Sequence, residues 1–136
     1  MQYCPGFVIR ITRADVLNRI YGERIYFVEL RREWSKGLKL IFMEKTSNTD
    51  YSFIGSGIID KIIRPEKLNN FEKLLCVKNN CYRKIVFGQL SKFFPGINVK
   101  HTIKGSWESV ALLHGTGLNA SDIVKIENIA TVSIVS

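Results

Sequence analysis

Residues 38–63 read LKLIFMEKTSNTDYSFIGSGIIDKII, and this stretch decides the fold. Leu38 to Met43 is an apolar run of strand length. Ser47-Asn48-Thr49-Asp50 is a polar turn, after which Tyr51 to Ile63 resumes an apolar, strand-like run. Two such runs about a polar turn predict a β-hairpin with a loop of several residues. Gly55 and Gly57 interrupt the second arm, and glycine inside a strand marks a bulge or the close approach of another group.

Upstream, Cys4-Pro5-Gly6 is a turn signal. Phe7 to Ile11 follows as a strand, with Phe7, Ile9 and Ile11 alternating against Val8 and Arg10. Thr12 is placed to cap a helix, with Asp15 at its third position. Val16, Leu17, Ile20 and Tyr21 share one face of that helix, and Gly22 reads as its stop. Ile25 to Leu30 reads as a second strand. Downstream, Pro65 suits a helix start, and Leu68, Phe71 and Leu75 follow at helical spacing, which predicts a helix to about Val77. Lys84 to Phe87 is a short strand and Phe94-Pro95-Gly96 a turn. Val99, His101 and Ile103 alternate as a further strand, and Ser106 caps a helix from Trp107 to His114 that Gly115 ends. Asn119 caps a last helix near Ser121 to Ile126, and Thr131 to Val135 closes the chain as a strand.

The count is about six strands and four short helices. Helices do not alternate regularly with strands, so a doubly wound parallel sheet is disfavoured. The expected fold is α+β: a small mixed or antiparallel β pseudo-barrel with peripheral short helices. Residues 1–136 read as one domain, a common size. The 46% hydrophobic content is ordinary for a packed core, and 17 isoleucines favour strands.

Lys plus Arg is 20 against 12 Asp plus Glu, a net charge of +8. Such an excess draws polyanions and gives binding that weakens with salt. No apolar run reaches the roughly 18 residues of a membrane-spanning helix, and no signal peptide stands out, so no membrane partner and a cytoplasmic location are expected. The three cysteines form no Cys-x-x-Cys pair. Cys76 and Cys81 either bridge or stay as buried thiols, and a reducing cytosol favours thiols.

Much chemistry is absent. His101 and His114, the two histidines, lie near no cysteine or second histidine at ligand spacing, so no metal is expected. Gly55-Ser56-Gly57 lacks the third glycine of a dinucleotide fingerprint, there is no Walker loop, and no nucleophile elbow occurs. No cofactor is implied, and no residue is assigned a catalytic part.

Three segments carry candidates for binding nucleic acid. Arg31, Arg32, Lys36 and Lys39 surround Trp34: cations attract phosphates, and an indole offers a face for a base. The competing reading packs Trp34 into the core. Lys100 and Lys104 share a strand face just before Trp107, which either opens a helix beside them or joins a buried stripe. Tyr51 follows the polar hairpin tip, where ordinary strand packing is the competing reading.

The strings Leu38-Lys39-Leu40-Ile41-Phe42-Met43 and Ile54-Gly55-Ser56-Gly57-Ile58-Ile59 resemble the core of PUA-like domains of the EVE, ASCH and YTH branches. There an apolar strand precedes one reading apolar-Gly-x-Gly-apolar. With its opening FVIRITRADVLNRIY, the chain is also similar to an archaeal family of about this length grouped with that superfamily. The resemblance implies a small pseudo-barrel whose cleft receives RNA or a modified base, lined here by Trp34, Tyr51 and Trp107. The ASCH pattern Gly-x-Lys-x-x-Glu-x-Arg is matched at Gly37 and Lys39 but has Phe42 and Glu44 at its Glu and Arg positions.

Three functions follow as expectations. The first is a module binding nucleic acid, RNA favoured, that reads a modified or flipped base. The second is a small ASCH-like enzyme acting on a nucleoside or nucleotide, with Lys39 as base beside Glu44 or Glu29. The third is an interaction domain without a pocket.

Overall fold

The computed structural model describes residues 5–48, 50–102, 113–130 and 132–135. The chain runs β1 (Gly6–Ile11), α1 (Ala14–Glu23), β2 (Ile25–Val28), β3 (Lys39–Lys45) and β4 (Tyr51–Ile63). A 3₁₀ turn (Pro65–Lys67), α2 (Asn70–Lys78), β5 (Arg83–Asn98) and a second 3₁₀ turn (Val99–His101) follow. The described chain ends with β6 (Gly117–Leu118), α3 (Ala120–Ile129) and β7 (Val132–Val135). The strands form one mixed sheet in the order β2-β5-β4-β3-β1-β6, with β7 paired to β5. It curls into a half-barrel, so the architecture is mixed α+β, as expected.

The hairpin at residues 38–63 forms as β3 and β4, antiparallel, with Leu40 opposite Gly57 and Phe42 opposite Gly55. Leu40, Ile41, Phe42 and Met43 are all buried because the sheet is covered on both faces, which is what a continuous apolar strand requires. One core holds Ile9, Ile20, Trp34, Leu40, Phe42, Ile59 and Phe87. The other, which includes Ile123 and Ile126 of α3, holds Val8, Ile41, Met43, Phe53, Phe93 and Leu113. Gly55 is required by close approach: a Cβ there would collide with the Tyr21 hydroxyl and the Ser91 carbonyl. β1 lies parallel to β3, with Ile11 beside Glu44.

Several sequence expectations are corrected. Thr12 does not cap α1; Arg13 occupies the cap position without a side-chain bond. Gly22 lies inside the helix, and Arg24 ends it at φ 62°. That left-handed residue is held by its guanidinium, which donates to the carbonyls of Gly88 (2.9 Å) and Val135 (3.1 Å). β2 stops at Val28, two residues short of Leu30. The helix expected from Pro65 is a 3₁₀ turn followed by α2, because Asn69 and Glu72 form a capping box that restarts the chain. The segment from Lys84 belongs to a 16-residue strand, and Phe94-Pro95-Gly96 is a bulge within it rather than a turn. Pairing there jumps from Gly55–Lys92 to Phe53–Ile97.

The strand expected over Val99 to Ile103 is a 3₁₀ turn at Val99–His101, begun by the Asn98 side chain accepting from the Lys100 N–H at 2.9 Å. The helix expected from Trp107 lies outside the described residues up to Leu112; Leu113 to Gly115 forms a turn. Cys76 and Cys81 are joined as a disulfide, where the sequence favoured thiols. Asn119 caps α3 as expected, reciprocally with Asp122. Among the described residues no helix is long and apolar enough to cross a membrane.

Candidate nucleic-acid interface

The residues expected to bind as one cluster are dispersed. Trp34 is 9% exposed: its ring meets Phe7 edge-on at 5.3 Å, and its indole N–H donates to the Leu30 carbonyl at 3.0 Å. No face is open for a base, which corrects the stacking role and selects the core reading. Lys36 extends to Asp60 at 3.8 Å, and Lys39 donates to Glu127 at 2.5 Å. Lys100 pairs with Asp50 at 3.0 Å, an interaction that holds the Asp50 carboxyl below its usual range. Lys104 and Trp107 lie outside the described residues.

Three of the expected residues stay available. Arg31 is exposed and stacks on Tyr82, 4.8 Å from the ring centre, with Arg83 3.7 Å from the same centre. The Arg32 guanidinium lies against the turn at His114 and Gly115. Tyr51 is half-buried at the start of β4.

The cations that converge are ones the sequence did not single out. Where β1 passes into α1, a cleft of about 220 Å³ is lined by Arg10, Thr12, Arg13, Arg19, Phe27, Glu29 and His114. A neighbouring depression of about 410 Å³ shares Arg10, Ile11, Thr12 and Arg13 and adds Glu44, Lys45 and Tyr51. Their linings carry four cations, Arg10, Arg13, Arg19 and Lys45, against two carboxylates, Glu29 and Glu44, and Arg13 and Arg19 also have Asp15 and Glu23 as ion-pair partners beside the cleft. The second depression opens at the carboxyl ends of the parallel pair β1 and β3, where α/β sheets commonly hold ligands. Arg19 also lies 5.5 Å from the Phe27 ring centre, so a cation and an aromatic share one wall.

His114 is fixed in this cleft. Its Nδ1 accepts the Arg10 backbone N–H at 2.8 Å, so the neutral ring carries its proton on Nε2. Burial pushes its pKa below the usual histidine value, and the Arg10 guanidinium adds to this. Arg13 is tied to Asp15 in a solvent-exposed pair, and each raises the stability of the other's charged form. Such exposed pairs contribute little to folding.

A third concavity, about 360 Å³, lies over β3, β4 and β5 beside α3. It is lined by Lys39, Ser56, Gln89, Ser91 and Glu127 among others. The Lys39–Glu127 pair is three-quarters buried and crosses its mouth. Among the described residues no three His, Cys, Asp or Glu side chains cluster to hold a metal.

No family model, curated protein or solved structure matches the chain.

Proposed function

We propose that the chain is an RNA-binding module of PUA-like type, and that the cleft between β1, α1 and β2 receives the polyanion. The carrying observation is the convergence of Arg10, Arg13, Arg19 and Lys45 around two joined depressions, with Phe27, Tyr51 and His114 on their walls. Arg32 adds a further cation beside the cleft, its guanidinium against the turn at His114 and Gly115. The smaller depression, at about 220 Å³, falls below the roughly 300–1,000 Å³ of sites that engulf a drug-sized ligand. It suits a phosphate or one base edge on a strand passing over the surface. The net charge of +8 supports the same reading.

The test is fluorescence anisotropy with labelled single-stranded and stem-loop RNA across a salt series, with DNA of the same sequence alongside. Replacing Arg13 and Arg19 by alanine weakens binding and flattens the salt slope by about 0.7 for each lost phosphate contact. Lys125→Ala, on the exposed side of α3, leaves the slope unchanged. Absence of binding at low salt, or an equal loss from Lys125→Ala, ends the proposal.

One observation favours a second reading, a small ASCH-like hydrolase acting on acylated nucleosides. Lys39 has a carboxylate partner in a polar groove, although that partner is Glu127 and neither Glu44 nor Glu29. Turnover of an acylated nucleoside that disappears in Lys39→Ala supports this reading. Turnover that survives the substitution removes it.

A further inference from the structure

Helix α2 faces the opposite way from its apolar pattern. Leu68 is buried just before the helix begins, but Phe71 and Leu74 are each 73% exposed and Val77 is 81% exposed. The inward positions go to Cys76, to the half-buried Leu75 and to Glu72, whose carboxylate receives the Lys84 ammonium in a pair about 15% exposed. An ion pair turned inward and three large apolar side chains turned outward invert the arrangement of an ordinary surface helix.

The inversion is held in place at both ends. Asn69 and Glu72 cap the start. At the other end Asn80 adopts φ 54°, its N–H donates to Val77, and the Cys81 N–H donates to the Cys76 carbonyl at 2.9 Å. This is a Schellman ending, in which an apolar contact usually joins the two flanking positions. Here those positions are Cys76 and Cys81, joined covalently. A helix of nine residues is marginal alone. These devices fix its shape without covering its outer side, and a preorganised face loses little freedom when a partner docks.

The chemistry around the face selects the partner. Beside Val77 a groove of about 500 Å³ is lined by Pro65, Glu66, Lys73, Cys76, Val77 and Cys81. Arg64, Lys67, Lys73 and Lys78 are exposed, and none has an ion-pair partner among the described residues. Glu66 is the one exposed carboxylate from Arg64 to Lys78, since Glu72 is engaged by Lys84. A second copy would bring these four cations against themselves. Against RNA, two of the three outward side chains, Leu74 and Val77, are aliphatic and give a base no ring to stack on, and the groove beside Val77 suits an inserted side chain.

We propose that α2 is a docking face for a protein segment that presents apolar side chains flanked by aspartate or glutamate, an acidic amphipathic helix. Its apolar residues meet Phe71, Leu74 and Val77, one enters the groove, and its carboxylates meet the lysines. This surface is separate in chemistry from the proposed RNA cleft and does not depend on it.

The probe is a labelled helix-forming peptide with leucine at i, i+3, i+4 and i+7 and glutamate elsewhere. A peptide with lysine for every glutamate and one with serine for every leucine accompany it. Binding is read by anisotropy, and folding of each variant by its urea midpoint. The Glu/Leu peptide binds saturably, the other two do not, and Leu74→Ser weakens binding about tenfold or more with an unchanged midpoint. The double change Lys73→Glu and Lys78→Glu shifts preference to the lysine peptide. Failure of the Glu/Leu peptide to saturate overturns the proposal, as does equal binding to Leu74→Ser. So does Leu74-dependent self-association, adsorption to anionic phosphatidylserine vesicles, or RNA affinity in place of peptide binding.

Discussion

Trp34→Ala separates a core residue from a nucleic-acid platform. The indole is nine-tenths buried, meets Phe7 edge-on at 5.3 Å and gives its N–H to the Leu30 carbonyl. Removing a buried Trp ring costs about 3–5 kcal/mol, including the cavity left beside Phe7. At an m-value of roughly 1–3 kcal/mol per molar urea, that lowers the midpoint by about 2 M. The corresponding fall in Tm is roughly 10–15 °C. Trp34→Phe keeps the ring contact and loses the N–H, which leaves the Leu30 carbonyl without this donor and costs about 1–2 kcal/mol. The assays are urea unfolding of the wild type and both variants, and RNA anisotropy at a temperature where all three are folded. RNA affinity stays within about twofold, because the phosphate contacts assigned to Arg13 and Arg19 are intact. The reasoning is refuted if Trp34→Ala keeps its midpoint and loses RNA binding, because the ring would then face the ligand.

Two further outcomes follow from local geometry. Gly22→Ala, inside α1 with nothing within 4 Å of the added methyl, stabilises by about 0.5–1 kcal/mol, whereas Gly55→Ala drives a methyl into Tyr21 and the Ser91 carbonyl and costs about 3 kcal/mol or more; thermal melts that rank them the other way contradict the packing. His114 is held neutral by burial, so stability is full above the ordinary pKa of 6.5 and falls as pH drops below it, where the unfolded chain takes up the proton first; a urea-midpoint series from neutral to acid pH in which His114→Gln keeps the whole wild-type slope removes that assignment.

The parts of the fold legible in the sequence are those set by neighbours in the chain. The hairpin of β3 and β4 declares itself by two apolar runs and a polar turn, and Asn119 declares the start of α3 by its own side chain. The parts that were not legible are set by distant partners. Phe94-Pro95-Gly96 has the composition of a turn, but β4 pairs with β5 on both sides of it and makes it a bulge. Phe71 and Leu75 have the spacing of a buried stripe, but the Glu72–Lys84 pair and the Cys76–Cys81 bridge rotate the helix so that Phe71 points away. Periodicity reports that a helix has two sides; it does not report which side finds a partner.

The same distinction explains the candidate site. Residues 31–39 look like one cationic cluster because they are adjacent in sequence, yet each side chain takes a different direction. Arg31 goes to Tyr82, Arg32 to the turn at Gly115, Trp34 into the core, Lys36 to Asp60 and Lys39 to Glu127. The cleft instead gathers the end of β1, the start of α1, one face of β2 and a histidine 104 residues from the backbone N–H it accepts. Nothing local links Arg10 to His114. The link is the return of the chain along β1: the Gly115 N–H donates to the Val8 carbonyl at 2.7 Å, the Val8 N–H donates to the Thr116 carbonyl at 2.9 Å and β6 pairs antiparallel with β1, while the parallel pairing of β1 with β3 leaves both strand ends open on the side where the turn into α1 crosses. Had a parallel pair been inferred, its carboxyl ends would have pointed to Ile11, Thr12 and Arg13 on one strand and Glu44 and Lys45 on the other. The irregular alternation of strands and helices argued against a wholly parallel sheet, and that argument holds. It does not exclude a single parallel pair inside a mixed sheet, and one such pair is enough to make the opening where these cations meet.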